Sequence, residues 1–272
     1  MNLLLLEPGE SGALIPPQDR RHEHLRRILK KGVGDSVDAG LVTDSAFGPA
    51  PGSLGRATIR KLDREGLILD YEAKAEAPAL APLRLLLGFP RPIQAGRIFK
   101  DLVSLGLGSI ILTGTELGEK SYLESSFFRG AEYGRPLLEG AEQAANPRLP
   151  AVSLHWTLPR CLASLEDDAM GDSIWRGGLL VALHPGPSAP SLGAFLRAAM
   201  MEGSGCQDSL ALASGQRSLT LAVGSERGWT EAELGLLEDA GFRICGLGER
   251  ILKTETACVA ASALALGALG RM

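Results

Sequence analysis

Hydrophobic and polar positions follow two different patterns along this chain. In residues 1–74, short apolar runs at Leu3–Leu6, Ser36–Val42, Gly55–Leu62 and Leu67–Tyr71 are separated by turn signals such as Pro8-Gly9 and Gly34-Asp35. The stretch Gly55 to Arg60 alternates small or apolar residues with polar ones, the pattern of a strand with one face in water. One helix is expected, from Gln18 to Lys31, so this part reads as a small β-rich domain with a single basic helix. Residues 75–82 lie in a stretch of small residues, alternating charge and two prolines and are expected to be a linker. From residue 83 to 272 the grammar changes to strands alternating with helices. Strands are expected at Leu83–Phe89, Ser109–Leu112, Ala151–Leu154, Gly178–Leu183, Leu219–Val223 and Arg243–Leu247. Between them fall helices at Ile93–Leu105, Gly130–Ala145, Leu158–Leu165, Ser191–Met201 and Thr230–Ala240, with a last one from Thr254. That alternation predicts an α/β domain with a mostly parallel sheet covered on both faces, whose ligands sit at the carboxyl ends of the strands.

Composition narrows the class without naming a function. A chain of 272 residues with 45% hydrophobic and 22% charged residues is an ordinary globular protein with room for two cores. The apolar start at Leu3–Leu6 is too short for a secretory signal and follows no basic segment, and the near-apolar stretch Ala257–Gly270 is short for a membrane span. A cytoplasmic protein with no membrane partner is expected. Cys161, Cys206, Cys245 and Cys258 are scattered, with no Cys-x-x-Cys pair, so they read as reduced thiols, and no metal site is expected. The net charge of −4 argues against a general affinity for nucleic acid. Locally the balance reverses: Arg20, Arg21, Arg26, Arg27, Lys30 and Lys31 stand against the single acid Glu23. This cluster is a candidate RNA-binding face, and a merely solvated helix face is the alternative.

Three glycine-bearing loops follow predicted strands: Leu183-His184-Pro185-Gly186-Pro187, Val223-Gly224-Ser225-Glu226-Arg227-Gly228, and Gly246 to Leu252. Loops of this kind at one sheet edge can hold a ligand by main-chain groups, although βα turns use glycine for their own geometry. Thr230 and Glu233 spell a capping box, and Thr254 suits the N-cap of the last helix. The Gly-rich run Leu105 to Ser109 follows a helix and precedes a strand, the reverse of a dinucleotide fingerprint.

The most specific signal is Leu247-Gly248-Glu249-Arg250-Ile251-Leu252-Lys253-Thr254-Glu255-Thr256-Ala257. It resembles the closing motif of the RsmE family of small-subunit ribosomal RNA (uracil-N3) methyltransferases, in the knotted SPOUT superfamily, and keeps nine of that motif's residues. Val223 to Gly228 stands where the family has a Gly-Pro-Glu-Gly-Gly loop, and Ala141-Glu142-Gln143, Leu183-His184-Pro185 and the His24–Leu29 segment also resemble family stretches. The resemblance implies a trefoil-knotted methyltransferase domain preceded by a PUA-like RNA-binding domain. It also implies a homodimer, S-adenosylmethionine as methyl donor, and small-subunit ribosomal RNA or an assembly intermediate as partner. It carries cofactor binding to Leu183, His184, Val223, Gly224, Glu226, Gly228, Leu247, Gly248, Ile251, Leu252 and Thr254. Because uracil N3 attacks only after losing its proton, Glu226 is the candidate base or orienter and Arg250 the candidate anion stabiliser. A salt bridge of Glu226 with Arg227 is the competing reading. Ser225, Arg227, Glu249, Asn146 and Ser104 depart from the family pattern, which leaves open a different target base or an inactive RNA-binding paralogue.

Overall fold

The structure is a computed structural model that describes residues 2–42, 52–170, 175, 177–186, 189–202 and 218–272. Cys206 and Pro187 lie outside the described residues. The chain divides into two compact units, Met1–Leu80 with Leu137–Leu149, and Ala81–Pro136 with Pro150–Met272.

The first unit contains a five-stranded sheet of β1 (Leu4–Leu6), β2 (Leu14–Ile15), β3 (Ser36–Leu41), β4 (Ser53–Leu62) and β5 (Leu67–Glu76), ordered β1-β3-β4-β5-β2. The β1–β3 pair is parallel and the others antiparallel. In β4 the predicted alternation holds, with Ala57 and Ile59 buried and Arg56, Thr58 and Arg60 exposed. The inward side chains join Leu4, Leu6, Leu25, Leu67 and Leu69 in one core. The register slips between Leu54 and Gly55, where a Cβ would lie 2.0 Å from the Glu72 carbonyl oxygen, so the bulge requires glycine. Strand pairing of Ser53 with Glu76 carries β5 through Glu76, and a further strand begins at Ala81, so of the expected linker 75–82 only 77–80 lies outside strands.

The expected basic helix is shorter and of mixed type. Asp19 caps α1 (Arg20–Glu23) by accepting from the Arg21 N–H at 2.8 Å, and a π-helical segment follows at His24–Ile28. There Leu29 N donates to the His24 carbonyl at 3.0 Å, five residues back, and Leu25 is wholly buried. Lys30 then takes a left-handed conformation (φ 50°) and ends the helix before Gly32.

The second unit is built on β6 (Ala81–Gly88), β7 (Leu107–Thr113), β8 (Ala151–His155), β9 (Leu179–Leu183), β10 (Leu219–Val223) and β11 (Arg243–Cys245). Its order is β11-β9-β10-β6-β7-β8, and every neighbouring pair is parallel. The helices are α2 (Pro92–Ser104), the short α3 (Lys120–Leu123) and α4 (Ser126–Arg129), α5 (Gly134–Ala144), α6 (Leu158–Met170), α7 (Leu192–Glu202), α8 (Glu231–Asp239) and α9 (Thr254–Ala268). The expected helix Gly130–Ala145 starts only at Gly134, because Ala131 adopts a left-handed φ of 54°. α5 spans the division between the units, its residues from Leu137 on belonging to the first.

Each β6 residue is buried, as expected of a central strand in a sheet covered on both faces. On one face Leu86, Ile111, Ala182 and Ala222 pack with Cys161, Leu162 and Leu165 of α6 and Leu234 and Leu237 of α8. On the other, α9 lies against β6 and β10 beside α2 and α7. Cys161, Cys245 and Cys258 are free and buried, and burial pushes the Cys161 thiol up to about 12, the usual behaviour of a core thiol.

The capping box of α8 forms as read: the Thr230 hydroxyl accepts from Glu233 N at 3.2 Å, and Glu233 Oε2 accepts from Thr230 N at 2.9 Å. Thr254 does not cap α9. Lys253 is the extended N-cap residue, without a side-chain cap, and Thr254 is the buried first residue of the helix.

Candidate functional site

Because all six strands of the second unit run parallel, the loops after β6, β7, β9, β10 and β11 emerge at one sheet edge. Two of the three predicted loops are laced together by backbone bonds there. His184 N donates to the Cys245 carbonyl at 3.0 Å, Gly246 N to Pro190 at 2.9 Å, and Leu192 N to Gly246 at 2.8 Å. Leu183 and Val223 are buried at the ends of their strands. Among the described residues His184 Nδ1 is buried without a hydrogen-bond partner, a polar group at the loop that a ligand can satisfy.

The third loop is a tight turn. Ser225 and Gly228 form an isolated bridge, Gly228 N donates to Ser225 at 2.9 Å, and Gly228 has φ +74°. A Cβ on Gly224 would fall 2.7 Å from the Gly228 carbonyl carbon, so both glycines are demanded by the turn itself. A Cβ on Gly88, at the end of β6, would fall 2.5 Å from Ser225 N, which shows how closely the turn seats on that strand. Thr115 Oγ1, beyond β7, donates to Ser225 Oγ at 3.2 Å. The serine that departs from the family pattern thus has a structural partner.

Glu226 is held by a residue that the sequence did not mark. Its Oε1 accepts the backbone N–H of Arg91 at 2.9 Å, and Arg91 Nε donates to the Tyr122 hydroxyl at 2.9 Å. The Tyr122 hydroxyl, followed by the charges of Glu226 and Glu119, holds the Arg91 guanidinium above its usual pKa. The anticipated Glu226–Arg227 pair is replaced by another, because Arg227 Nη2 lies 3.6 Å from Glu119 Oε1. These residues, with Gln94, line a cavity of about 290 Å³. Arg91, the N-cap residue of α2, carried no signal in the sequence, and neither did Tyr122.

The segment after β11 is irregular up to α9. Gly248 is exposed with φ +108°, and nothing lies within 4 Å of the position its Cβ would take, so its backbone is open to a ligand. Leu247 and Leu252 are half-buried and Glu249 and Arg250 exposed. Ile251, expected to bind the cofactor, is 86% exposed in the single chain.

The basic cluster of the first unit is only partly available. Arg21 is a correction to the expected RNA face: it is 8% exposed and its charge is spent internally. Its guanidinium donates to Glu10 at 2.6 and 2.7 Å, to Asp19 at 2.8 and 2.9 Å, and to the Leu5 carbonyl at 2.9 Å. Arg20 Nη2 pairs with the buried Glu142 at 2.6 Å. Burial raises the Glu142 pKa although Arg20 counters it. Arg27 pairs with Glu23 one turn away at 2.7 Å, while Arg26, Lys30 and Lys31 are exposed or partly exposed. Asn146, another departure, is a turn residue: its side chain donates to the Pro78 carbonyl at 3.1 Å and accepts from Arg148 N at 3.1 Å. Ser104 Oγ caps the end of α2 on the Asp101 carbonyl at 2.7 Å.

Among the described residues no group of three His, Cys, Asp or Glu side chains converges to hold a metal ion, and no described helix is long and apolar enough to cross a membrane.

A parallel sheet whose loops gather at its carboxyl edge, with one anchored carboxylate in them, defines an α/β ligand-binding domain, and comparison with known proteins makes the class specific. Residues 76–266 match the family described as an RNA methyltransferase domain. The chain is 36% identical over 270 residues to the ribosomal RNA small subunit methyltransferase E of Treponema pallidum, covering 98% of this chain and 91% of that one. It is 28% identical to the ribosomal RNA small subunit methyltransferase E 1 of Borreliella burgdorferi over the full length of both. The crystal structure of the Neisseria gonorrhoeae ribosomal RNA small subunit methyltransferase E bound to S-adenosyl methionine shares the fold, with a TM-score of 0.63 at 20% identity over 98% of this chain and 97% of that one. The chain therefore belongs to the RNA methyltransferase family, among the small-subunit ribosomal RNA methyltransferases E.

Proposed function

We propose that this protein methylates N3 of a uridine in small-subunit ribosomal RNA, with S-adenosylmethionine as the donor, in the cytoplasm. The observation that carries the reading is Glu226, in the loop after β10, held by Arg91 N at the carboxyl edge of the sheet. The residues present fit the donor: among the described residues His184 Nδ1 is an unmet buried polar atom and Gly248 offers open backbone, while the tight glycine turn keeps the 224–228 main chain in place. Leu183, His184, Val223, Gly224, Gly228, Leu247, Gly248, Ile251, Leu252 and Thr254 would hold it. When bound, it supplies a methyl group made electrophilic by a sulfonium sulfur. Glu226 takes the N3 proton or orients the uracil edge that carries it, and Arg250 stabilises the charge that develops on the neighbouring carbonyl oxygens. Alignment of the uracil edge by the loops supplies most of the acceleration, since a neutral thioether leaves without acid help.

The first unit acts in this reading as a PUA-like RNA-binding domain, and the second as a trefoil-knotted one with α9 drawn through a loop. The position of α9 beside α2 and against β6 and β10, far from its own strand β11 in the sheet order, supports the knot. A homodimer accounts for the exposure of Ile251 and of Leu264 at 46%, apolar side chains that a second copy or the donor's adenine would cover.

Mass spectrometry of ribosomal RNA from a deletion strain tests the assignment: one 3-methyluridine should disappear from the small-subunit RNA and return on complementation. An unchanged small-subunit RNA would exclude it. The RNA face is tested separately by salt dependence. Neutralising Arg26, Lys30 and Lys31 together should reduce the slope of log Kd against log salt by about 2–3, at roughly 0.9 per lost phosphate contact. A slope equal to that of the unmodified protein would assign the cluster to a solvated helix face.

A further inference from the structure

Beside the Glu226 cavity the second unit has a larger one, about 660 Å³, at the carboxyl ends of β7 and β8. The two adjoin at Gly118, which lines both. Its wall carries Trp156, the residue directly after β8, which is 52% exposed. The exposed indole contrasts with the neighbouring aromatics, since Phe128, which lines a small cavity with Trp156, and Trp229 are each 4% exposed. Trp156 is also held in place. The β7–β8 pairing continues one step beyond the strands, with Gly114 N donating to the His155 carbonyl at 3.0 Å. A Cβ on Gly114 would fall 2.1 Å from the Trp156 carbonyl oxygen, so glycine is required for that approach. The Arg129 guanidinium lies over the indole, 5.4 Å from the ring centroid, and is itself 3.6 Å from the Glu124 carboxylate.

We infer that Trp156, backed by Arg129, is a stacking platform for an unpaired RNA base next to the methylated one. This rests on the proposed RNA methyl transfer at Glu226. The chemistry favours a base over other occupants for three reasons. A flat, cation-backed aromatic ring stacks on the π-face of any base. The cavity has room for a nucleotide and adjoins the Glu226 cavity at Gly118. Adenine, with a larger π-face than uracil, stacks on such a ring more strongly, which favours a purine neighbour. Lys120, on the same wall, offers the one cation suited to the adjoining phosphate. A base must leave its stack for N3 chemistry, and holding the neighbour on Trp156 keeps the strand open while it does so.

Tryptophan fluorescence and RNA affinity test this on the full chain. Single-stranded oligoadenylate and oligouridylate, and small-subunit ribosomal RNA from the deletion strain, serve as probes. Oligoadenylate should quench the emission and bind more tightly than oligouridylate, and the quench should vanish in Trp156→Phe, which leaves Trp175 and Trp229 as reporters. Trp156→Ala should weaken ribosomal RNA binding about tenfold, the loss expected for one stacked base, while Trp156→Phe loses less than threefold. Donor affinity measured by calorimetry should be the same in all three proteins. A quench that persists in Trp156→Phe, or an unchanged RNA affinity in Trp156→Ala, overturns the platform. So does equal binding of an oligonucleotide whose bases are removed, the result expected if the surface docks a protein instead. The methyl-transfer assay separates the two readings. Transfer with no Trp156 effect removes the platform alone, whereas a Trp156-dependent quench without transfer removes the methylation and keeps the RNA site.

Discussion

Replacing Glu226 by glutamine should lower kcat for methyl transfer by about 10²–10³-fold while leaving donor affinity within threefold of the unmodified protein. Glutamine keeps an amide oxygen to accept the Arg91 N–H, so the bond that anchors the loop at 2.9 Å is retained. What it lacks is a carboxylate able to take a proton, and general-base removal typically costs this much. Glu226→Ala loses both functions. Its kcat should fall as far as in the glutamine variant, and donor affinity should drop several-fold in addition, because the turn that seats on Gly88 and Arg91 is released. Single-turnover rates at saturating donor, with calorimetry for the donor alone, separate the two effects. A glutamine variant that turns over at the normal rate would leave Glu226 as a loop anchor only.

The difference between these variants also marks where sequence reading stops. The parallel sheet was legible because its strands are short continuous apolar runs, Leu219–Val223 matching β10 residue for residue. The glycines of the 224–228 loop were legible as glycines, but the sequence does not say that the turn needs them for its own closure at Gly224 and Gly228. Arg91 escaped notice because its part is played by a backbone N–H, which every non-proline residue owns. Tyr122 and Trp156 escaped because a single aromatic near an irregular loop has no period. Charges were misread for the opposite reason. Six basic residues between Arg20 and Lys31 form a patch in one dimension, yet Arg21 is taken up by Glu10 together with its neighbour Asp19, and Arg20 by Glu142, 122 positions away. Local charge density predicts a surface only when distant partners are absent, and pairing is a tertiary fact. Thr254 was assigned to a cap by residue type, whereas the turn entering α9 places the extended residue one position earlier, at Lys253.

Arg21 is the clearest case of that internal pairing, and its loss should have the largest effect on stability. Arg21→Met keeps much of the side-chain volume but leaves the Asp19 and Glu10 carboxylates facing each other without their shared cation. Breaking a buried pair costs about 3–5 kcal/mol. Here the acids are 21% and 26% exposed, so water relieves part of the penalty, and about 2–3 kcal/mol is expected at pH 7. The pH dependence follows from Asp19. Burial opposes its ionised form, but the hydrogen bonds and charge of Arg21 outweigh this and hold its pKa below the ordinary 3.8. A depressed carboxylate contributes stability that is fully present above the unfolded pKa and is lost as the pH falls through the folded one. The difference between the two proteins should therefore be greatest at neutral pH and shrink below about pH 4, where the acid is protonated in the unfolded chain. All three tryptophans lie in the second unit, at 156, 175 and 229, so their emission follows that unit while far-ultraviolet circular dichroism follows both. In urea, Arg21→Met should show an early circular-dichroism transition that the tryptophans do not follow, with the later tryptophan transition unmoved. A midpoint unchanged at pH 7, accompanied by a smaller salt slope for RNA binding, would instead return Arg21 to the RNA face.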